Sequence, residues 1–224
     1  MALDLVDRAL ASNLPRGVVL ADTAYGNSSD FRKALREREL DYAVAIDSNT
    51  KVCRLDAKGV RQKEAVTVRD LALRICYKRR GYRRVTWRSG TKEKLSARFA
   101  FRRVVPYHDD GHDPDTERER VWLICEWLDG EVQPTKFYFA TLPTKWSKKR
   151  LVRLIKERWR TERAYEDLKG ELGLDHYEGR RFPGWHHHVS AVLACYAFIV
   201  AERVRRFPPS PRGTEVHDTH ALAA

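Results

Sequence analysis

The stretch VVLADTAYGNSSDFRKALRERELDYAVAID, residues 18–47, decides the fold. VVLAD (18–22) is a continuous apolar run that closes on an acid and is followed by turn residues. A run of that kind suits a strand buried on both faces. Ser29 or Asp30 is placed to cap a helix over FRKALREREL, whose Phe31, Ala34, Leu35 and Leu40 form an apolar stripe. YAVAID (42–47) then repeats the buried-strand pattern. Strand, helix and strand within so short a span make a βαβ unit, which requires parallel strands in an α/β sheet. Ligand sites in such sheets form outside the carboxyl ends of the strands, so Asp22 is well placed, although an Asp there also serves as a turn or cap residue. Asp47 ends the second strand and is read as such a turn residue.

Outward from this unit the pattern changes. Residues 3–12 carry Leu3, Leu5, Val6 and Leu10 in the spacing of a short amphipathic helix, which LPRG ends. From about 51 to 143 the chain runs in short alternating segments rich in aromatic and β-branched residues. Among them are RRVTWRS (83–89), ARFAFRRVV (97–105), VWLICEW (121–127) and KFYFATL (136–142). They read as a mostly antiparallel β insertion, with one helix over 66–75 and an acidic exposed loop at 109–119. From Ser147, an N-cap, one helix is expected to run through about Leu172, and a second from about Pro183 to Arg206. The tail is rich in Pro and small polar residues and reads as disordered. The expected organisation is therefore a core segment 1–50, an insertion 51–143, core helices 144–206 and a tail 207–224.

The 224 residues allow one sizeable core with an insertion. No apolar run approaches the length that spans a bilayer, and the N-terminus lacks the layout of a signal peptide. Cys53, Cys76, Cys125 and Cys195 are scattered, form no CxxC pair and read as reduced core residues of a cytoplasmic protein. Lys and Arg number 43 against 31 Asp and Glu, a formal charge of +12, which favours a polyanionic partner, nucleic acid above all.

The second informative stretch is RWRTERAYEDLKGELGLDHYEGR, residues 158–180. On a helix at about 100° per residue, with Arg158 at zero, Glu162 falls near 40° and Lys169 near 20°. They share one stripe beside an arc of Thr161, Ala164, Tyr165, Leu168 and Leu172, the expected core face. Arg160, Arg163, Asp167 and Glu171 point away, and Glu166 is the rival acid nearest the stripe. Spacing alone leaves open a plain i,i+4 salt-bridge cluster of small stability value. The chemistry that uses such a stripe is metal-assisted phosphoryl transfer, in which carboxylates hold two divalent ions and neighbouring cations bind phosphodiester. Oxygen-only ligands favour Mg²⁺ or Mn²⁺.

These residues resemble the catalytic portion of DDE transposases from bacterial insertion sequences, in the subgroup with a Y-x2-R-x3-E-x6-K signature. Arg158, Glu162 and Lys169 keep the R-x3-E-x6-K spacing, and Ile155 stands at the Tyr position. VVLADTAYG resembles the segment with the second catalytic Asp, which maps to Asp22, with Tyr25 and Gly26 completing the local pattern. GLDHYEGR, GWHHHV and the long insertion are similar too. The resemblance implies a truncated RNase H-like α/β fold, a βαβ unit plus C-terminal helices with a mostly antiparallel β insertion. It implies DNA strand cleavage and transfer, with Asp22 and Glu162 as catalytic residues and ligands of Mg²⁺ (or Mn²⁺), and Arg158 and Lys169 on DNA phosphate. The implied partner is double-stranded DNA, as transposon ends and target, with a homodimer left open and no membrane, in a nucleoid-associated bacterial cytoplasm.

The first catalytic Asp of such proteins lies on an earlier strand. Before Asp22 only Asp4 and Asp7 are found, both on the expected N-terminal helix, and neither fits. The reading is thus a truncated transposase, inactive and poorly stable alone, with residues 18–21 as an exposed apolar edge. The competing reading is a non-catalytic DNA-binding or oligomerising remnant. Another RNase H-like nuclease fits the insertion and the Arg-Glu-Lys stripe less well. The triplet His186, His187, His188 is set aside as a metal site because a helix sends consecutive side chains in different directions. Trp87, Trp122, Trp127 and Trp146 are read as packing residues rather than platforms for an extruded base.

Overall fold

The local signals that define the βαβ unit survive into the tertiary structure, a computed structural model that describes residues 1–12, 14–78, 80–89, 93–107 and 119–208. The N-terminal helix is α1 (Ala2–Ala11), followed by β1 (Val19–Ala21), the one-turn α2 (Thr23–Gly26), α3 (Ser29–Glu37) and β2 (Tyr42–Ile46). β1 and β2 are parallel, with Val19 opposite Tyr42 and Ala21 opposite Val44. The cap of α3 is Ser28, whose hydroxyl accepts from the Phe31 amide at 3.2 Å, rather than Ser29 or Asp30.

The chain continues through β3 (Lys51–Leu55), β4 (Arg61–Thr67), α4 (Val68–Cys76), β5 (Arg83–Ser89), β6 (Lys94–Pro106), β7 (Val121–Trp127) and β8 (Lys136–Ala140). All eight strands join one sheet of order β1-β2-β8-β7-β6-β3-β4, with β5 also on β6. Every pairing except β1 with β2 is antiparallel. The long β6 serves two partners on one edge. Its first half pairs with β5 and its end with β3, while β7 lines the other edge. β1 ends the sheet, pairing with β2 alone among the described strands. The expected helix over 66–75 starts two residues later, because the Thr67 hydroxyl caps it by accepting from the Asp70 amide at 3.0 Å.

Cores form on both faces. On one, Val44, Val52, Val104, Leu123 and Phe139 meet Phe31 and Leu35 of α3, Leu71 and Ile75 of α4, and the half-buried Leu3, Val6 and Leu10 of α1. On the other, Phe99, Phe101, Trp122 and Ile124 meet Leu151, Val152 and Ile155 of α5 (Lys148–Lys156). Burying one such side chain contributes about 1.5–3 kcal/mol. Coverage on both faces explains why VWLICEW shows no polar alternation: β7 is buried at every position from Val121 to Glu126. Alternation then turns Glu126 to the α5 side with Trp122 and Ile124. The four cysteines are free thiols. Trp122 packs as expected, its indole N–H donating to the Leu142 carbonyl at 3.0 Å.

Residues 1–156 and 157–224 form two compact units. The second holds α6 (Trp159–Gly170) and α7 (Phe182–Arg206). The expected single helix from Ser147 to Leu172 is therefore two. Ser147 caps the first as anticipated, accepting from the Arg150 amide at 3.2 Å. The helix breaks at Glu157 and Arg158, where tighter bonds from the Arg160 amide to the Glu157 carbonyl (2.9 Å) and from Thr161 to Arg158 (3.0 Å) take over. No Gly or Pro marks this break, so periodicity ran through it. Between α6 and α7 the chain turns at Gly173, whose φ of +67° suits glycine. The Gly173 carbonyl lies 3.0 Å from His188 Nε2, and the Tyr177 hydroxyl donates to the Arg181 carbonyl at 2.9 Å. The acidic loop lies outside the described residues except for Glu119, which pairs with Arg36 at 2.7 Å. The tail beyond residue 208 lies outside them too. Among the described residues no helix is long and apolar enough to cross a membrane.

Candidate functional site

Asp22 follows β1 directly and is the N-cap of α2. Its Oδ1 accepts from the amides of Ala24 (3.1 Å) and Tyr25 (3.4 Å), and the residue is exposed. The second carboxylate oxygen makes no hydrogen bond to the described residues. The turn and the strand-end readings thus both hold: the cap fixes the carboxylate's direction and leaves one oxygen for a ligand.

The turn that carries Asp22 is pinned against the sheet. The Gly26 amide closes the turn on the Asp22 carbonyl at 2.7 Å, and a Cβ on Gly26 would lie 1.8 Å from the Ala45 carbonyl oxygen of β2. Only glycine allows that approach. Arg32, buried beneath, donates to the Gly26 carbonyl and lies 5.5 Å from the centre of the Phe139 ring. Burial holds the Arg32 guanidinium below its ordinary pKa. Asp47, at the end of the neighbouring strand, is tied up by Asn27: its amide donates to Asn27 Oδ1 at 2.9 Å, and Asn27 Nδ2 donates back to the carboxylate. Thr50 completes this lock at 3.3 Å. Residue type alone did not point to the Gly26–Arg32 clamp or the Asn27 lock, because their partners are distant in sequence.

Glu162, Arg158 and Lys169 belong to the second unit, and Asp22 to the first. Arg158 stands at the N-cap position of α6, and its Nη2 donates to Glu162 Oε1 at 2.8 Å across an exposed pair. Lys169 follows seven residues later, about 10 Å along the helix on nearly the same face. It is exposed and makes no ion pair with the described residues. The rival acid Glu166 is engaged by Arg163 at 3.3 Å, and Arg163 also holds Asp167 at 3.0 Å. Of the expected core face of α6 only Leu168 is buried; Tyr165 is 56% exposed. In the His triplet, His188 turns to Gly173 while His186 packs on the Phe182 and Trp185 rings, so the side chains diverge.

Chemically, Asp22 and Glu162 are oxygen donors suited to a hard cation such as Mg²⁺. Among the described residues, however, no group of three His, Cys, Asp or Glu side chains stands together as a metal site. The described residues do not by themselves complete one.

No curated protein matches the chain. Residues 1–94 match the family described as DDE superfamily endonuclease, the segment that contains Asp22 and its clamped turn. Over those residues, under half of the chain, the protein is similar to DDE superfamily endonucleases, and its mixed α/β architecture, with a mostly antiparallel sheet and C-terminal helices, is consistent with an RNase H-like DDE fold.

Proposed function

We propose that this chain acts in DNA strand cleavage and strand transfer, as the catalytic portion of a DDE transposase of the insertion-sequence type. The observation that carries the reading is Asp22: a carboxylate held at the carboxyl end of a parallel strand pair, inside the segment that matches DDE superfamily endonucleases. In this reading residues 1–50 and 144–206 supply an RNase H-like core and residues 51–143 an insertion into it. Asp22 and Glu162 are ligands of Mg²⁺ (or Mn²⁺), with a third carboxylate coming from another segment. When bound, such ions activate the attacking oxygen and stabilise the leaving one. Arg158 orients Glu162 by its 2.8 Å bond and, with Lys169, presents positive charge along one helix face to DNA phosphate. The formal charge of +12 agrees with a DNA substrate.

A second reading, a non-catalytic DNA-binding or oligomerising remnant, is favoured by the lack of a three-carboxylate group among the described residues. One experiment separates the two. The coding DNA preceding Met1 is read for a strand ending in Asp, and the frame so extended is tested for Mg²⁺-dependent nicking of duplex DNA. Nicking abolished by Asp22→Asn and by Glu162→Gln, with duplex binding intact, is the expected result. Nicking that survives Asp22→Asn refutes the catalytic assignment, and binding without nicking under any divalent ion favours the second reading.

A further inference from the structure

Apart from the carboxylates, the first unit contains a cleft of about 340 Å³ between α4 and the strands β3, β4 and β6. Its volume lies in the range of small-ligand sites. Its charge sets it apart: Arg54, Arg74, Lys78, Arg102 and Arg103 all line it, with no Asp or Glu among the lining residues. The Arg103 guanidinium is engaged elsewhere, over the Trp122 ring and on the Arg120 carbonyl, which leaves four cations for the cleft. Leu71 and Ile75 form an apolar floor.

The ordinary explanations for clustered cations account for only part of this. Arg74 is in the last turn of α4, where the helix dipole favours a positive charge. Arg54 pairs with Glu64 at 3.3 Å, but Glu64 is an exposed residue outside the cleft lining, and the bond uses only Nη2. Arg54 Nε is buried with no hydrogen-bond partner, and so is the side-chain oxygen of Gln62 on the neighbouring strand. Arg102 spends one Nη on the Phe101 carbonyl at 2.8 Å. Lys78 and Arg74 are exposed at the mouth. Four like charges around one cavity repel each other unless an anion sits among them. A buried guanidinium N–H without an acceptor calls for the same occupant.

We infer that this cleft binds a phosphate group, with Arg54 and Arg102 gripping it from the strands and Arg74 and Lys78 closing over it from α4. The apolar floor suits the sugar or base attached to that phosphate. A phosphodiester of a nucleic-acid strand and a free polyphosphate offer the same chemistry, and the experiment is arranged to tell them apart. The inference adds a phosphate site to the DNA reading and takes only its first probe from it. Binding is measured in EDTA, so its failure would leave the carboxylate assignment standing.

The variant is Arg74→Gln with Lys78→Gln in the full chain, two exposed positions whose replacement leaves the core intact. A charge-matched control replaces the exposed Lys33 and Lys58 with Gln. A fluorescent duplex is titrated against each protein across a salt series, and thermal shifts are recorded with tripolyphosphate. A tenfold or greater loss of duplex affinity in the cleft variant, with the log–log salt slope falling by about 2, and less than a threefold loss in the control, identifies strand phosphate. Unchanged duplex affinity with a tripolyphosphate shift lost only in the cleft variant identifies a free polyphosphate. Equal losses in variant and control, or no effect of the cleft variant on either probe, overturns the inference.

Discussion

The most exposing test of the packing concerns Glu126 and Lys156. Glu126 is fully buried, and Lys156, the last residue of α5, is 17% exposed; Lys156 Nζ donates to Glu126 Oε1. The Tyr138 hydroxyl donates to Glu126 Oε2 at 2.9 Å, and the Trp87 ring lies 5.0 Å from Lys156 Nζ. Burial holds the Lys156 ammonium below its ordinary pKa, with Glu126 pulling the other way. Lys156→Met removes the cation and leaves a buried carboxylate with one phenolic donor. Breaking a buried pair from one side costs about 3–5 kcal/mol, and the remaining Tyr138 bond puts this case at the lower end, ~3 kcal/mol. Glu126→Gln keeps the Tyr138 contact and leaves a Lys that still has water and the Trp87 ring, so its cost is about 1–2 kcal/mol. The double variant removes both charges and is more stable than the sum of the singles by about 2 kcal/mol. Urea titration followed by tryptophan fluorescence reads this directly. With a slope near ~2 kcal/mol per molar, Lys156→Met lowers the midpoint by about 1.5 M. A loss under about 0.5 kcal/mol for Lys156→Met, or strict additivity in the double variant, refutes the claim that this pair anchors α5 to the sheet.

Gly26→Ala drives a methyl into the Ala45 carbonyl at 1.8 Å and forces the Asp22 turn off β2; it destabilises by about 3 kcal/mol or more, measured by the same titration. At Asp22 two substitutions separate roles. Asp22→Asn keeps the cap and changes stability by under about 0.5 kcal/mol, whereas Asp22→Ala loses the bonds to the Ala24 and Tyr25 amides and costs about 1 kcal/mol. Tyr42 gives the alkaline limb. Burial, against the pull of Arg32, pushes its phenol from 10 to about 12. A pKa raised on folding contributes stability that is whole below pH 10 and is lost as pH rises through about 12, here about 3 kcal/mol. Tyr42→Phe shrinks that loss in a pH series of urea melts. Burial raises Tyr82 as well, so part of the alkaline loss remains.

The helix and strand assignments came through where the signal was local. Residues 18–47 carry their own apolar runs and their own stripe, and the parallel pair β1–β2 with α3 between follows from them. The alternating segments of the insertion became β5 to β8 nearly where their patterns lie. The continuous helix through Glu157 was the main error, because a break made by backbone bonding alone leaves no mark in residue type. At the candidate site, the pairing of Arg158 with Glu162 was legible from i,i+4 spacing. The capping of α2 by Asp22 was readable only as one of two alternatives.

What the sequence determined by itself is thus most of the helices and strands, the positive charge and the choice of candidate residues, all properties of neighbours along the chain. Only the tertiary structure decided that β2 lies against β8 and that β6 divides one edge between β5 and β3. The same is true of Gly26 touching the Ala45 carbonyl and of cations from β3, β6 and the end of α4 lining one cleft. Strand pairing and close approach depend on residues far apart in the chain, and their energies arise only when the sheet has closed. The sequence could name Arg54, Arg74, Lys78 and Arg102 as charges; folding was needed to bring them together.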